Sequence, residues 1–232
     1  MDCVSEIKKT SFKVTNKGNY KGTFDNAATN AVAVIDMLEN KFSDNTIIAF
    51  TGDEEEHNNG AKQVRKYLKD KQKKFIAIAL DLTFNLESEE DDNVHTYKDA
   101  SYTIDNIHSN SNEKIVKKIF EIAKDIQIKF MVTRAENLND FFDNRESEIQ
   151  DYYDKKLEVA DTAYEDEAIE YGKCENCISA FSLCLPSDDN DDDYNMHTDK
   201  PVKIKRNAFS EYIEAVAAIS HGLSEFVRST DL

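Results

Sequence analysis

The chain has 232 residues, with 29 Lys plus Arg against 46 Asp plus Glu and a formal net charge of -17. That is room for one ordinary domain, or one large and one small, and 13 Phe with 10 Tyr supply the bulk for a real core beneath a heavily charged surface. So acidic a molecule, with a pI near 4.7 and no Lys/Arg block that reverses the sign locally, is a poor partner for nucleic acid or an anionic membrane surface. The opening stretch, MDCVSEIKKTSFKV, has no apolar run behind a basic start, and no segment approaches the ~18 apolar residues of a membrane span. A cytoplasmic protein is expected.

The first element expected is a helix over Ala28 to Asn40, with Ala28, Val32, Ile35 and Leu38 on one face. Thr46 to Thr51 (TIIAFT) follows as a strand, Ala61 to Lys69 as a helix with Val64 and Leu68 inward, and Phe75 to Asp81 (FIAIALD) as a second strand. Both strand runs are apolar at successive positions, as in strands covered on two faces. Asn85 to Asn93 is acidic and nearly free of apolar side chains, so it reads as a solvated loop. Asn112 to Ile126 carries Ile115, Ile119, Ile122 and Ile126 at helical spacing, and the charge-dense residues 134–158 read as a peripheral helical excursion. A third strand, Ile178 to Leu185 (ISAFSLCL), stops at Pro186. A second acidic loop, Ser187 to Tyr194 (SDDNDDDY), follows it, and Ala208 to Val227 closes the chain as a long amphipathic helix. This alternation predicts an α/β fold, a mostly parallel sheet with helices on both faces, formed as a single domain over 1–232. No repeat, Gly/Ser linker or Pro-rich tract divides it.

Four cysteines, Cys3, Cys174, Cys177 and Cys184, are too few for a disulfide scaffold. The Cys174-x-x-Cys177 pair lacks both the second pair of a structural zinc site and the context of a redox motif, so it reads as small residues around a turn.

The chemistry concentrates in TIIAFTGDEEEHNNGA, Thr46 to Ala61. A buried strand ending in Asp53, Glu54, Glu55 and Glu56 delivers carboxylates to the carboxyl edge of a parallel sheet, where open α/β folds place their sites. Crowded carboxylates tolerate each other around a divalent cation or by fanning into water. Asp81 ends the next strand and so reaches the same edge. Asp25, in GTFDNAATNA, stands at a helix start, where an N-cap is the plainer role. His197, in YNMHTDKP, follows the third strand.

In this order and setting the residues resemble the co-catalytic dizinc exopeptidases, the zinc aminopeptidases, carboxypeptidases and related deacylases that share a phosphorylase/hydrolase-like α/β/α domain. Asp25-Asn26 matches the family's bridging aspartate at a helix start, and Glu54-Glu55 with Gly60-Ala61 has the spacing of its glutamate pair. Asp81 matches the strand-terminal aspartate, within an ALDLT run similar to the glutamyl or tetrahedral aminopeptidase branch, and Met196-His197-Thr198 matches the last histidine. The likeness runs from about Lys21 to the C-terminus with the middle unmatched. It implies a three-layer α/β/α sandwich of zinc exopeptidase type, a peptide or small amide substrate, and one or two zinc ions, with Mn or Co also suited to the donors. It further implies that Glu54 is the general base, that Glu55 and His197 hold one metal with Asp25 bridging to a second, and that Asp81 belongs to that second metal.

One departure stands out. The family's H-x-D histidine lies upstream of the bridging aspartate, but no histidine precedes Asp25, and His57 occupies a place usually held by glycine. Three readings stay open: a site that hydrolyses with one metal or a borrowed ligand such as His57, His95 or His108; an inactive homologue that binds a peptide or protein partner through the old cleft; and an N-terminally shortened relative completed by a partner chain. A homo-oligomer is possible, although nothing here is long enough to be the intact β-rich insertion through which the tetrahedral branch assembles. His221 receives no role, and SDDNDDDY lacks the Gly and terminal Glu of a calcium loop.

Overall fold

The computed structural model of the chain describes residues 11–52, 58–71, 73–83, 100–108, 110–133, 159–160, 167–188 and 201–230. In chain order its elements are β1 (Phe12–Val14), β2 (Tyr20–Gly22), α1 (Ala27–Leu38), α2 (Asn59–Asp70), β3 (Phe75–Thr83), β4 (Tyr102–Asp105), α3 (Glu113–Asp125), β5 (Phe130–Thr133), β6 (Val159–Ala160), α4 (Glu167–Gly172), β7 (Cys177–Pro186), β8 (Val202–Ile204) and α5 (Arg206–Ser229). The fold is α/β. A small antiparallel sheet runs β1-β2-β8, and a five-stranded sheet runs β3-β7-β4-β5-β6. The larger sheet is mixed: β3/β7, β4/β5 and β5/β6 pair in parallel, whereas β7/β4 is antiparallel.

β7 organises the core. Ser179 to Pro186 are all buried, as a strand paired on both edges and covered on both faces must be. Its side chains alternate between two apolar clusters. Phe181, Leu183 and Leu185 join Leu82 of β3, Val32 of α1, Ile115 and Ile119 of α3, and Tyr212 and Ile219 of α5. Ala180 turns the other way and joins Ala77 of β3, Ala61 of α2 and Tyr171 of α4. The buried hydroxyl of Tyr212 donates to the Leu183 carbonyl at 2.6 Å, so the one polar atom of this aromatic enters the core already paired.

The helices obey their sequence periods. α3 starts where the Asn112 side chain accepts from Lys114 N at 2.9 Å, with Glu113 in its first turn and Lys124 in its last, both favourable to the helix dipole. It buries Ile115, Val116, Ile119, Phe120, Ile122 and Ala123, the spacing of one continuous face. α5 buries Ala208, Tyr212, Ala215, Val216, Ile219 and Leu223 on the same principle. The expected helices over Ala28 to Asn40, Ala61 to Lys69, Asn112 to Ile126 and Ala208 to Val227 are all present, with ends displaced by one or two residues.

One expected strand is absent. Thr46 to Thr51 has no strand pairing, and no backbone hydrogen bond joins it to β3 among the described residues. Its apolar run resembles that of β3, but strands exist by pairing with a neighbour rather than by composition. The second strand also differs from expectation in its end: β3 continues two residues beyond Asp81, to Thr83 opposite Pro186. The acidic loop after β7 does not begin in solvent either. Ser187 is buried and donates its N–H to Thr83 O at 2.9 Å, and Asp188 N donates to Lys203 O at 2.8 Å. The excursion over 134–158 and the loop 85–93 lie outside the described residues. Among those described, no helix is long and apolar enough to cross a membrane.

Candidate functional site

The first turn of α1 is fastened to the end of β3. Asn26 Nδ2 donates to the Leu80 carbonyl at 2.9 Å, and Thr29 Oγ1 donates to the same oxygen at 3.3 Å. These two bonds set Asp25, just before the helix, close to Asp81, just after Leu80, and both residues line one cleft of about 330 Å³. Asp25 is 5% exposed. It is not an N-cap: the cap position is Asn26, whose side chain makes no capping bond and instead donates through Nδ2 to Leu80. The Asp25–Asn26 peptide bond is cis. Asp81 Oδ1 accepts from Leu82 N at 2.8 Å, which orients its carboxylate at the strand edge.

The cleft is bounded by β3 on one side and residues 46–51 on the other. α2 and α4 form part of its wall and are locked together by a buried carboxylate: Glu170 pairs with Arg65 Nη1 at 2.5 Å and Lys173 Nζ at 2.9 Å. Tyr171, on the same short helix, lines the cleft. Burial, with Glu167 adding to it, pushes its phenol well above the usual range, so it stays a neutral donor.

Glu54, Glu55 and His197 lie outside the described residues, as do His57 and His95. The residues that flank them are placed. Gly60 N donates to Gly52 O at 3.0 Å, and a Cβ on Gly60 would meet that oxygen at 2.5 Å, so glycine is what lets α2 close against the end of 46–52. The Gly-Ala that follows the glutamate pair thereby has a structural reason. Thr51 Oγ1 bonds the Glu167 carboxylate, and both residues line the cleft with Asp25 and Asp81. On the His197 side, Asp188 pairs with Lys203 through backbone and side chain, closing the base of the connection from β7 to β8 beside Thr83.

The other candidates take ordinary places. His108 is half-buried. Its Nδ1 accepts from Asn110 N at 3.1 Å, its ring abuts Gly172, and burial with help from Lys173 lowers its pKa. His221 is exposed on α5. Cys174 and Cys177 flank the turn into β7 as free thiols. Burial pushes the Cys177 thiol up to about 11, which suits neither a nucleophile nor a metal ligand.

Among the described residues no group of three His, Cys, Asp or Glu converges as a metal site. The donors that are present nevertheless fit a divalent cation. Asp25 and Asp81 both line the cleft, and Asn26 Oδ1 is buried without a hydrogen-bond partner. A buried amide oxygen is costly without a cation or donor to face it. Asn26 is the residue that spacing alone did not single out. It was legible only as the second letter of the Asp25-Asn26 motif, whereas its structural work is to join α1 to β3.

No family model and no curated protein matches the chain. Solved structures do. The α/β fold is similar to that of a TET aminopeptidase from the marine sediment archaeon Thaumarchaeota archaeon SCGC AB-539-E09, with a TM-score of 0.58 and 13% identity over 94% of this chain and 55% of that one. It is also similar to PhTET1-12s, a dodecamer in the asymmetric unit, with a TM-score of 0.53 and 17% identity over 91% of this chain and 53% of the other. The chain spans about half the length of the solved structures it matches. At such identities the likeness is one of fold.

Proposed function

We propose that the chain is a metal-dependent, aminopeptidase-like hydrolase of peptide or amide bonds, built on a three-layer α/β/α sandwich of zinc exopeptidase type and acting in the cytoplasm. The observation that carries this reading is the convergence of Asp25 and Asp81 on one cleft, secured by the Asn26 and Thr29 bonds to Leu80. Asp25 and Asp81 would hold one zinc ion, and Asp25, Glu55 and His197 the other, with Mn or Co acceptable to the same oxygen and imidazole donors. When bound, a divalent cation lowers the pKa of water and polarises the scissile carbonyl. Glu54 would take the proton of the attacking water and return it to the leaving amine. The acidic surroundings favour a substrate with a free ammonium group. Likeness to a TET aminopeptidase and to a dodecameric structure supports this substrate class and a homo-oligomeric state.

Metal analysis of protein purified without chelator, followed by aminoacyl-amide hydrolysis with added Zn, Mn or Co, tests the reading. Metal-dependent turnover is expected. Neither bound metal nor turnover would overturn it and leave the cleft as a peptide- or protein-binding module. Glu54→Gln is expected to cut turnover by ~10²–10⁴-fold with metal content unchanged, whereas Asp25→Ala should release metal.

A further inference from the structure

Cys174-Glu175-Asn176-Cys177 forms the turn between α4 and β7. Cys177 N donates to Cys174 O at 2.9 Å, the first-to-fourth bond of a β-turn, whose end Cα atoms lie less than ~7 Å apart. That spacing overlaps the ~4.4–6.8 Å over which a disulfide closes without moving the backbone. The sulfurs are neighbours as well: after burial, Cys174 contributes to the upward push on the Cys177 thiol. Cys177 Sγ donates to Ser179 O at 3.1 Å, a weak thiol bond that is given up at little cost. Beside it β7 carries an extra residue, since Phe75 stands opposite Cys177 but Ile76 opposite Ser179. A bulge at Ile178 lets the strand adjust at Cys177 while the ladder beyond keeps its register.

Both ends of the turn are tied into the fold. Cys174 N donates to Tyr171 O at 3.0 Å, and Asn176 O accepts from Phe75 N at 3.1 Å. A cross-link between the two cysteines would thus close a turn that α4 and β3 already hold in shape. The chemistry of the pair differs from that of a redox catalyst. Catalysts stabilise a thiolate and so make their disulfide easy to reduce, whereas burial here disfavours the Cys177 thiolate. A disulfide formed from such a thiol is kept rather than passed on.

We infer that Cys174 and Cys177 are a modification site, a thiol pair that a low-molecular-weight disulfide oxidises reversibly to an intrachain disulfide. Cys177 is half-buried and Cys174 is 6% exposed, so the oxidant meets Cys177 first. The Cys177 thiolate attacks one sulfur of the small disulfide, forming a mixed disulfide and expelling one small thiolate, which takes up the proton that Cys177 lost. Cys174, deprotonated in turn, attacks the Cys177 sulfur; the Cys174–Cys177 bond forms and the second small thiol leaves. Two protein thiols are oxidised and one small disulfide is reduced to two thiols. The closed turn clasps the end of α4, which carries Tyr171, to the start of β3 and β7. This holds whether or not the cleft hydrolyses anything.

The test equilibrates the full 232-residue chain with mixtures of reduced and oxidised glutathione, traps free thiols with N-ethylmaleimide and maps the cysteines by tandem mass spectrometry. Cys174 and Cys177 are expected to lose alkylation together and to appear as one linked pair, with Cys184 still a thiol. Addition of a dithiol reductant should restore both. The same titration in concentrated urea supplies the unfolded reference, and closure should be at least ~10-fold more favourable in the folded chain, because the turn has already brought the sulfurs together. Cys174→Ser should trap glutathione on Cys177. Both thiols still alkylated, glutathione left on Cys177 of the parent chain, pairing of either cysteine with another partner, or closure no more favourable folded than unfolded would each overturn the inference.

Discussion

β7 and residues 46–51 are runs of similar apolar character in opposite surroundings. β7 is paired along both edges, and Phe181, Leu183 and Leu185 are fully buried. The 46–51 segment is paired along neither edge among the described residues, and Ile47 and Phe50 are 63% and 52% exposed. The difference teaches that a β-prone sequence becomes a strand only when a partner is present on at least one side, and that β3 belongs to both regimes: its inner side pairs with β7, and its outer side carries no strand among the described residues.

Substitutions should divide along the same line. Phe181→Ala, deep in the larger cluster, is expected to cost ~3–5 kcal/mol of unfolding free energy in urea titration; a cost below ~1 kcal/mol would mean that the β7 region is not the stable half. Gly60→Ala comes next, at ~1–3 kcal/mol, because its Cβ meets Gly52 backbone rather than a movable side chain.

Asp36 offers a pH-dependent comparison. It is fully buried at the end of α1, with Lys41 Nζ 3.3 Å away. Burial raises its pKa above the ordinary 3.8, and the Lys41 contact opposes this more weakly. With the folded value the higher one, the stability this group contributes is complete below the unfolded pKa and is lost as pH rises through the folded pKa. Asp36→Asn should therefore gain on the parent as pH climbs above 3.8, seen as a Tm difference that grows from pH 3.5 toward 7. A gap that shrinks instead would mean that the Lys41 pair outweighs burial. Smallest of all, Ile47→Ala should change stability by less than ~0.5 kcal/mol in urea titration, because the side chain is mostly exposed.

The long elements were legible because burial leaves a period in the sequence. ISAFSLCL announced a strand covered on both faces, and Ile115, Ile119 and Ile122 announced the inner face of α3. TIIAFT announced itself equally well and misled, since pairing is a non-local fact that a window of six residues does not contain. β1, β2, β4 and β8 run only three or four residues, too few for a period to emerge. At the site, the sequence set Asp81 at a strand end and Asp25 at a helix start, and both residues line one cleft. That Asp25 stands one residue ahead of the cap, with Asn26 reaching across to Leu80, depends on a bond between residues 54 positions apart. Glu54, Glu55 and His197 rest on the resemblance, and it is their flanks, Gly52 and Asn58 on one side and Asp188 and Lys203 on the other, that are observed.

The fit of Gly60 against Gly52 fixes the spacing of the two backbone points that flank the acidic stretch. With Gly60 N bonded to Gly52 O and Asn58 in a left-handed turn at φ 52, the backbone leaves and returns at points that are nearly tied together. A change in the number of residues between 52 and 58 has to be absorbed with both of those points held, whereas an exchange of residue type leaves their spacing untouched. One close glycine contact thus sets the spacing of the two anchors from which the acidic stretch is hung.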